Sequence, residues 1–202
     1  MPLIPASVSG LMNAKGASVQ LAGSKLSSLI SAISSAVCSY VLSAAVVNST
    51  NVVLGPGSGT FTGRIVGLVS SNMAQLMRAK AAASGLAGRD ISKLFNSVST
   101  GIVTGLNTVI AQGSVIGGGP GTGTGKILAL VPTALSGIIV AQSSVRLLSG
   151  RDMNKLASAI AFGACTHIMA NGTLTLTCIG AAAGPPAGPV SIPAAPGIGR
   201  LV

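Results

Sequence analysis

Ala87-Gly88-Arg89-Asp90-Ile91-Ser92-Lys93-Leu94 is the stretch on which the reading of this chain turns, because Ser149-Gly150-Arg151-Asp152-Met153-Asn154-Lys155-Leu156 repeats it almost letter for letter. A worn third copy stands at Ala22-Gly23-Ser24-Lys25-Leu26-Ser27-Ser28-Leu29. Aligning Gly23, Gly88 and Gly150 brings Leu26, Ile91 and Met153 together, then Leu29, Leu94 and Leu156, then Ile33, Val98 and Ile160. The pairs Gly55-Pro56, Gly119-Pro120 and Gly184-Pro185 follow the copies at a like distance. A self-similarity of this period is the mark of a repeat architecture. The sequence therefore divides into a degenerate N-terminal repeat over 1–60, a second repeat over 61–123, a third over 124–183 and a Pro/Gly-rich tail over 184–202.

Within each unit the apolar residues recur at helical spacing. Leu26, Leu29, Ile30, Ile33, Val37 and Val41 form one stripe with serines between them, and Ile91, Leu94, Phe95, Val98, Ile102 and Leu106 form its counterpart. A first helix precedes each: Leu3, Val8, Leu11 and Met12 match Leu68, Met73, Leu76 and Met77 without a gap. In the third unit the first helix runs on from Lys126 through Ile127 and Leu130, with Pro132 as an alternative start. Thr173-Leu-Thr-Leu-Thr-Cys-Ile179 alternates with period two and reads as a strand, with weaker counterparts at Asn51–Leu54 and Ser114–Ile116. Gly55–Gly63 and Gly119–Lys126 read as connectors, and the tail as extended chain without a core. The expected fold is mainly α with minor β: three tandem repeats of a helix-turn-helix-strand unit.

Asp90 and Asp152, the only acidic residues of the chain, fall on one repeat position just before the second helix and read as helix N-caps. Arg89, Lys93, Arg151 and Lys155 surround them. Their plain role is local pairing with the two aspartates; their sharper one is docking to an acidic neighbouring subunit.

The inventory excludes most chemistry. Two carboxylates and one histidine, His167, leave no acid-base pair, and the repeat counterparts of His167 are Tyr40 and Gly105. Cys38 and Cys165 sit inside helical stripes as small hydrophobes, and with Cys178 they make an odd count, which points to a reducing compartment rather than a disulfide framework. Gly119-Pro-Gly-Thr-Gly-Thr-Gly-Lys126 imitates a phosphate-binding loop, but Pro120 and Ile127 occupy positions where glycine and a hydroxyl are needed. No catalytic residue, cofactor site or metal site is expected, and no small-molecule substrate. The formal charge of +10 is spread singly, without interleaved aromatics, which argues against nucleic acid as partner.

So few charges, 7% of residues, cannot cover a soluble surface, so the chain belongs in a membrane or in a large assembly. The segment after Lys25 and residues 127–145 are long and uncharged enough for spans. Basic residues at both ends of the helices, with no Trp and a single Tyr, argue against spanning. Units too small to bury their own stripes favour stacking on one another and on other chains.

The Gly-Arg-Asp-hydrophobic-x-Lys-Leu word, followed by a helix, a strand and a Gly-Pro or Gly-Thr-Gly linker, resembles triplicated virion structural proteins of large tailed bacteriophages, T4-like myoviruses among them. The resemblance implies a non-enzymatic particle component of baseplate, tail or neck, assembled in the host cytoplasm, with itself and other virion proteins as partners. The alternative is an integral membrane protein with paired hydrophobic helices.

Overall fold

The computed structural model describes residues 3–53, 58–116, 121–178 and 195–201. Along the chain lie α1 (Pro5–Ser18), α2 (Leu26–Ala44), β1 (Val46–Val53), β2 (Ser58–Val66), α3 (Ser70–Ala83), α4 (Ile91–Thr108), β3 (Ile110–Ile116), β4 (Gly121–Leu128), α5 (Pro132–Val145), α6 (Met153–Asn171), β5 (Thr173–Cys178) and β6 (Ala195–Leu201). The strands pair antiparallel in sequence order, and β6 returns to β1, so the sheet is a closed barrel. The helices pack in a closed ring, each on its chain neighbours and α6 on α1.

This overturns the expected mainly helical array of helix-turn-helix-strand units. The protein is mixed α/β, with strands that make up a whole barrel rather than minor additions. What lies between successive Gly-Arg-Asp words is helix-strand-strand-helix, and a strand precedes α3 and α5 as well as following α4 and α6. The sequence that ought to have been connector is wall: 58–63 belongs to β2 and 121–126 to β4. Lys126 to Leu128 likewise end a strand instead of opening a helix, as Arg64 to Val66 do in β2, so α3 starts at Ser70 and α5 at Pro132. In the tail, 195–201 is strand β6; residues 184–194 lie outside the described residues, as do the Gly-Pro linkers.

The Gly-Thr alternation misleads because glycine is depleted from ordinary strands. In a six-stranded barrel it has a reason. Fewer strands make a narrower barrel, and eight already leave an interior that side chains just fill. Here the inward positions carry Phe61 and Ile65 from β2, Val115 from β3 and Leu174 and Leu176 from β5, all buried. Opposite Phe61 the wall has Gly113 and Gly125, where an added Cβ would run into the Phe61 ring and into the backbone of the next strand. Thr60, Thr62, Gln112, Thr122 and Thr124 alternate outward and are exposed. The period-two signal is present, with glycine as its interior letter.

The ring is built on a similar size match. α2, α4 and α6 are buried around much of their girth, whereas α1, α3 and α5 bury one stripe each: Val8, Met12 and Gly16; Met73, Met77 and Ala81; Leu135, Ile139 and Ser143. At two of the three places where the first helix of one hairpin meets the second helix of the previous one, a bulky residue enters a glycine notch. An added Cβ on Gly101 of α4 would lie 2.5 Å from Cγ1 of Ile139, and one on Gly163 of α6 would strike Met12. Polar side chains tie two of the three junctions, α2 to α3 and α6 to α1. The Tyr40 hydroxyl accepts the backbone N–H of Val69 at 2.9 Å, and Nε2 of His167 accepts that of Ile4 at 3.0 Å. Val69 and Ile4 are the N-cap residues of α3 and α1. Gly105, the third counterpart, instead makes room for Leu135 and Leu130. Sequence comparison sets His167 apart from Tyr40; the fold gives them one task.

Because Nε2 accepts, the neutral ring carries its proton on Nδ1, which stands 3.1 Å from the Asn171 side-chain amide. Burial pushes the His167 pKa below its ordinary 6.5. The unfolded chain then binds more protons below about 6.5, so the His167 contribution is intact above that pH and is lost as pH falls toward the depressed folded value. Denaturant midpoints measured from pH 8 to 5 should fall in the native chain and fall less in His167→Tyr, which copies the Tyr40 bond and removes the imidazole. Gly101→Ala should lower stability by about 1–3 kcal/mol, read from the same denaturation curves, because Ile139 has no room to retreat.

Candidate docking face at the base of the helical ring

Each helical hairpin leaves the barrel and returns to it, so its turn lies at the far end of the ring. The first helices all stop in the same way. Gln20, Gly85 and Leu147 adopt left-handed backbone angles, with φ of 58°, 65° and 55°. The N–H groups of Leu21, Leu86 and Leu148 donate to the carbonyls of Gly16, Ala81 and Ser143 at 2.9 Å, and those of Gln20, Gly85 and Leu147 donate to Ala17, Ala82 and Ser144 at 3.0 Å. This is the paired-bond Schellman stop, in which a left-handed residue satisfies the last carbonyls. Only the middle copy uses the glycine this conformation favours. Leu147, 85% exposed, keeps a side chain there that makes no use of the interior.

The Gly-Arg-Asp word follows this stop. Asp90 and Asp152 do occupy the residue before α4 and α6, but neither side chain caps the helix. The correction has a conformational cause. A capping side chain folds back from extended backbone, whereas Asp90 has φ −88° and ψ −11° and Asp152 has φ −103° and ψ 8°. Their carboxylates instead meet Lys93 and Lys155, each at 3.0 Å and each one turn on. Such half-exposed pairs contribute on the order of 0–1 kcal/mol.

That pairing consumes every acidic side chain of the protein. Arg89 and Arg151 are exposed and, among the described residues, make no ion pair or hydrogen bond. Other arginines are engaged: Arg78 of α3 donates to Asn96 of α4 at 2.5 Å, and Arg146 donates to Gln142 and, across to α4, Thr100. Gly88 and Gly150 are equally uncommitted. An added Cβ would meet nothing within 4 Å, and neither has a positive φ. Inside this cationic rim lie half-buried Leu21, Leu26, Leu86, Ile91, Leu148, Met153 and Leu156. Between the first and third turns they line a depression of about 360 Å³, with Leu21 and Leu26 on one side and Leu148, Met153 and Leu156 on the other, beside Arg151. The arrangement is an apolar floor with a positive edge, suited to a protein surface of opposite charge.

Among the described residues, this face holds no histidine or cysteine, and its two aspartates are paired with lysines. His167 is inside the ring and not at the base, and Cys38 and Cys165 are buried, their thiols pushed up to about 11 and about 12 by desolvation. No cluster of three metal-ligating side chains exists among the described residues. Lys126, the end of the phosphate-loop imitation, is on the outer barrel wall in the middle of a paired strand, where no loop could wrap a phosphate. Set against family models, curated proteins and solved structures, the chain matches none.

Leu147→Gly should raise stability by about 1 kcal/mol, measured by denaturant titration, since it removes the left-handed cost without losing buried area.

Proposed function

We propose that this chain is a non-enzymatic structural subunit of a larger particle, docked through the base of its helical ring to an acidic neighbour. One observation carries the reading: Gly88 with Arg89 and Gly150 with Arg151 are held in common between two turns whose surroundings have diverged, as the paired Asp and Lys are, yet unlike that pair they make no contact inside the molecule among the described residues. Tyr40, Gly105 and His167 show how far equivalent positions drift when each local junction is free to find its own solution. A bare glycine beside an unpaired guanidinium leaves room for a partner backbone to approach and offers a forked donor to its carboxylates. The setting implied by the sequence resemblance is a tailed-bacteriophage virion, in baseplate, tail or neck.

The membrane reading has one observation of its own. α2 is 19 residues long with mean hydropathy 1.6, enough by length and composition for a span. Its stripe of Ile30, Ile33, Val37 and Val41 is wholly buried in the ring, and it leads directly into a barrel strand. These contacts favour a water-surrounded particle over paired spans.

Arg89→Glu/Arg151→Glu should leave the thermal midpoint within about 2 °C, as surface changes away from buried features usually do. In producing cells its incorporation into gradient-purified particles, quantified by mass spectrometry, should fall at least about tenfold, the effect of losing roughly 1.4 kcal/mol at the interface. Incorporation at the native level would sink the docking face, and recovery of the native chain only in a carbonate-resistant membrane fraction would favour the spanning alternative.

A further inference from the structure

We infer that β6 is an exchangeable strand: within an assembly, the Ala195–Leu201 segment of one copy closes the barrel of a second copy by pairing with its β1 and β5. This is independent of the docking face at the base. It begins from the place β6 occupies. Gly199-Arg200-Leu201 matches Gly63-Arg64-Ile65 of β2 and Gly125-Lys126-Ile127 of β4 in letters. It matches them in register too. Arg64 stands opposite Asn48 and Ile110, Lys126 opposite Gln112 and Thr173, and Arg200 opposite Thr175 and Val46. β6 is thus to α1 and α2 what β2 is to α3 and α4, although it is reached from the other end of the chain.

The attachments differ. β2 is separated from β1 by residues 54–57 and leads within a few residues into α3; β4 is separated from β3 by residues 117–120 and leads into α5. Both are pinned on two sides. The connection from β5 to β6 is residues 179–194, where antiparallel neighbours need only about 2–5. A segment of that length reaches at most about 55 Å, more than the width of a small domain. It permits the same strand to serve its own barrel or a neighbour's.

The contacts of β6 suit exchange as well. Its inward positions include Gly199 and the buried Leu201, and it is joined to β1 and β5 by backbone ladders, which any copy of the chain offers identically. Without β6, β1 and β5 would be two unpaired edges, each a template for strand addition. The closed and exchanged forms contain the same pairings, so linker length and local concentration decide between them. A short covalent connection gives a strand an effective concentration in the millimolar range for its own barrel. Neighbouring subunits in an assembly compete on those terms, and dilute chains do not.

The test uses Val46 and Arg200, which face each other across β1 and β6. Two differently tagged full-length chains are co-expressed, one carrying Val46→Cys and the other Arg200→Cys, both with Cys178→Ser; buried Cys38 and Cys165 remain. After concentration and mild oxidation, a disulfide joining the two tags is expected. It should fall by at least roughly tenfold when residues 181–192 are deleted to leave a short hairpin, because intramolecular closure then has the advantage. Placing both substitutions in one short-linker chain should give the intrachain disulfide and shows that the pair is competent. An intrachain disulfide in that control with no bond between tags in the concentrated native-length chains would overturn strand exchange, as would an interchain yield unchanged by the deletion.

Discussion

The narrowness of a closed six-stranded barrel is the constraint from which the rest follows. Closure removes every sheet edge, but it leaves little interior. Phe61 fills much of that space, and the walls facing it have no side chains: Gly113 and Gly125 are bare where the ring lies, and Gly63 and Gly199 are bare against Ser49 and Leu176 of neighbouring strands. With so many inward positions given to glycine, the barrel depends on its ladders and on a few large residues at defined points. The outward positions include many Thr residues, with Arg64, Lys126 and Arg200 exposed at one shared register position.

The helical ring solves a related problem with the opposite distribution. Inner helices supply small residues and outer helices supply large ones, so that Ile139 enters at Gly101 and Met12 at Gly163. The junctions are close, and each first helix begins with an N-cap residue that has no capping side chain of its own. A side chain from the preceding hairpin takes up the slack in two of the three, Tyr40 and His167, through chemically different acceptors at nearly the same distance. The third junction is apolar, with Leu130 and Leu135 in the space left by Gly105. Equivalent backbone positions thus tolerate tyrosine, histidine or glycine, provided that the local contacts are completed. Only the histidine adds a dependence on pH.

Against this internal economy the turns at the base stand out. Schellman stops fix their backbone, the two Asp–Lys pairs neutralise their acids, and what remains is a rim of Arg89, Arg151 and Lys25 around half-buried leucines. The barrel end presents paired strands joined by short connections, with β6 alone tethered at length. The proposed docking face and the proposed strand exchange both start from this arrangement.

By itself, the sequence determined the periodic core. The Gly-Arg-Asp words, the stripes of Ile30 to Val41 and Phe95 to Leu106, the burial of Cys38 and Cys165 and the thin catalytic inventory are all local or periodic properties, legible without a partner element. The positions of Asp90 and Asp152 were legible too, though not their pairing, since the choice between capping and ion pair rests on backbone angles set by the turn. Only the tertiary structure decided that Gly-Thr runs are strands, because glycine at an inward position acquires its meaning from the Phe61 ring that lies over Gly113 and Gly125 of the next two strands. It also decided that a Pro-rich tail contributes a barrel strand, because β6 has value only between β1 and β5, which lie far from it in sequence and beside it once the sheet has closed.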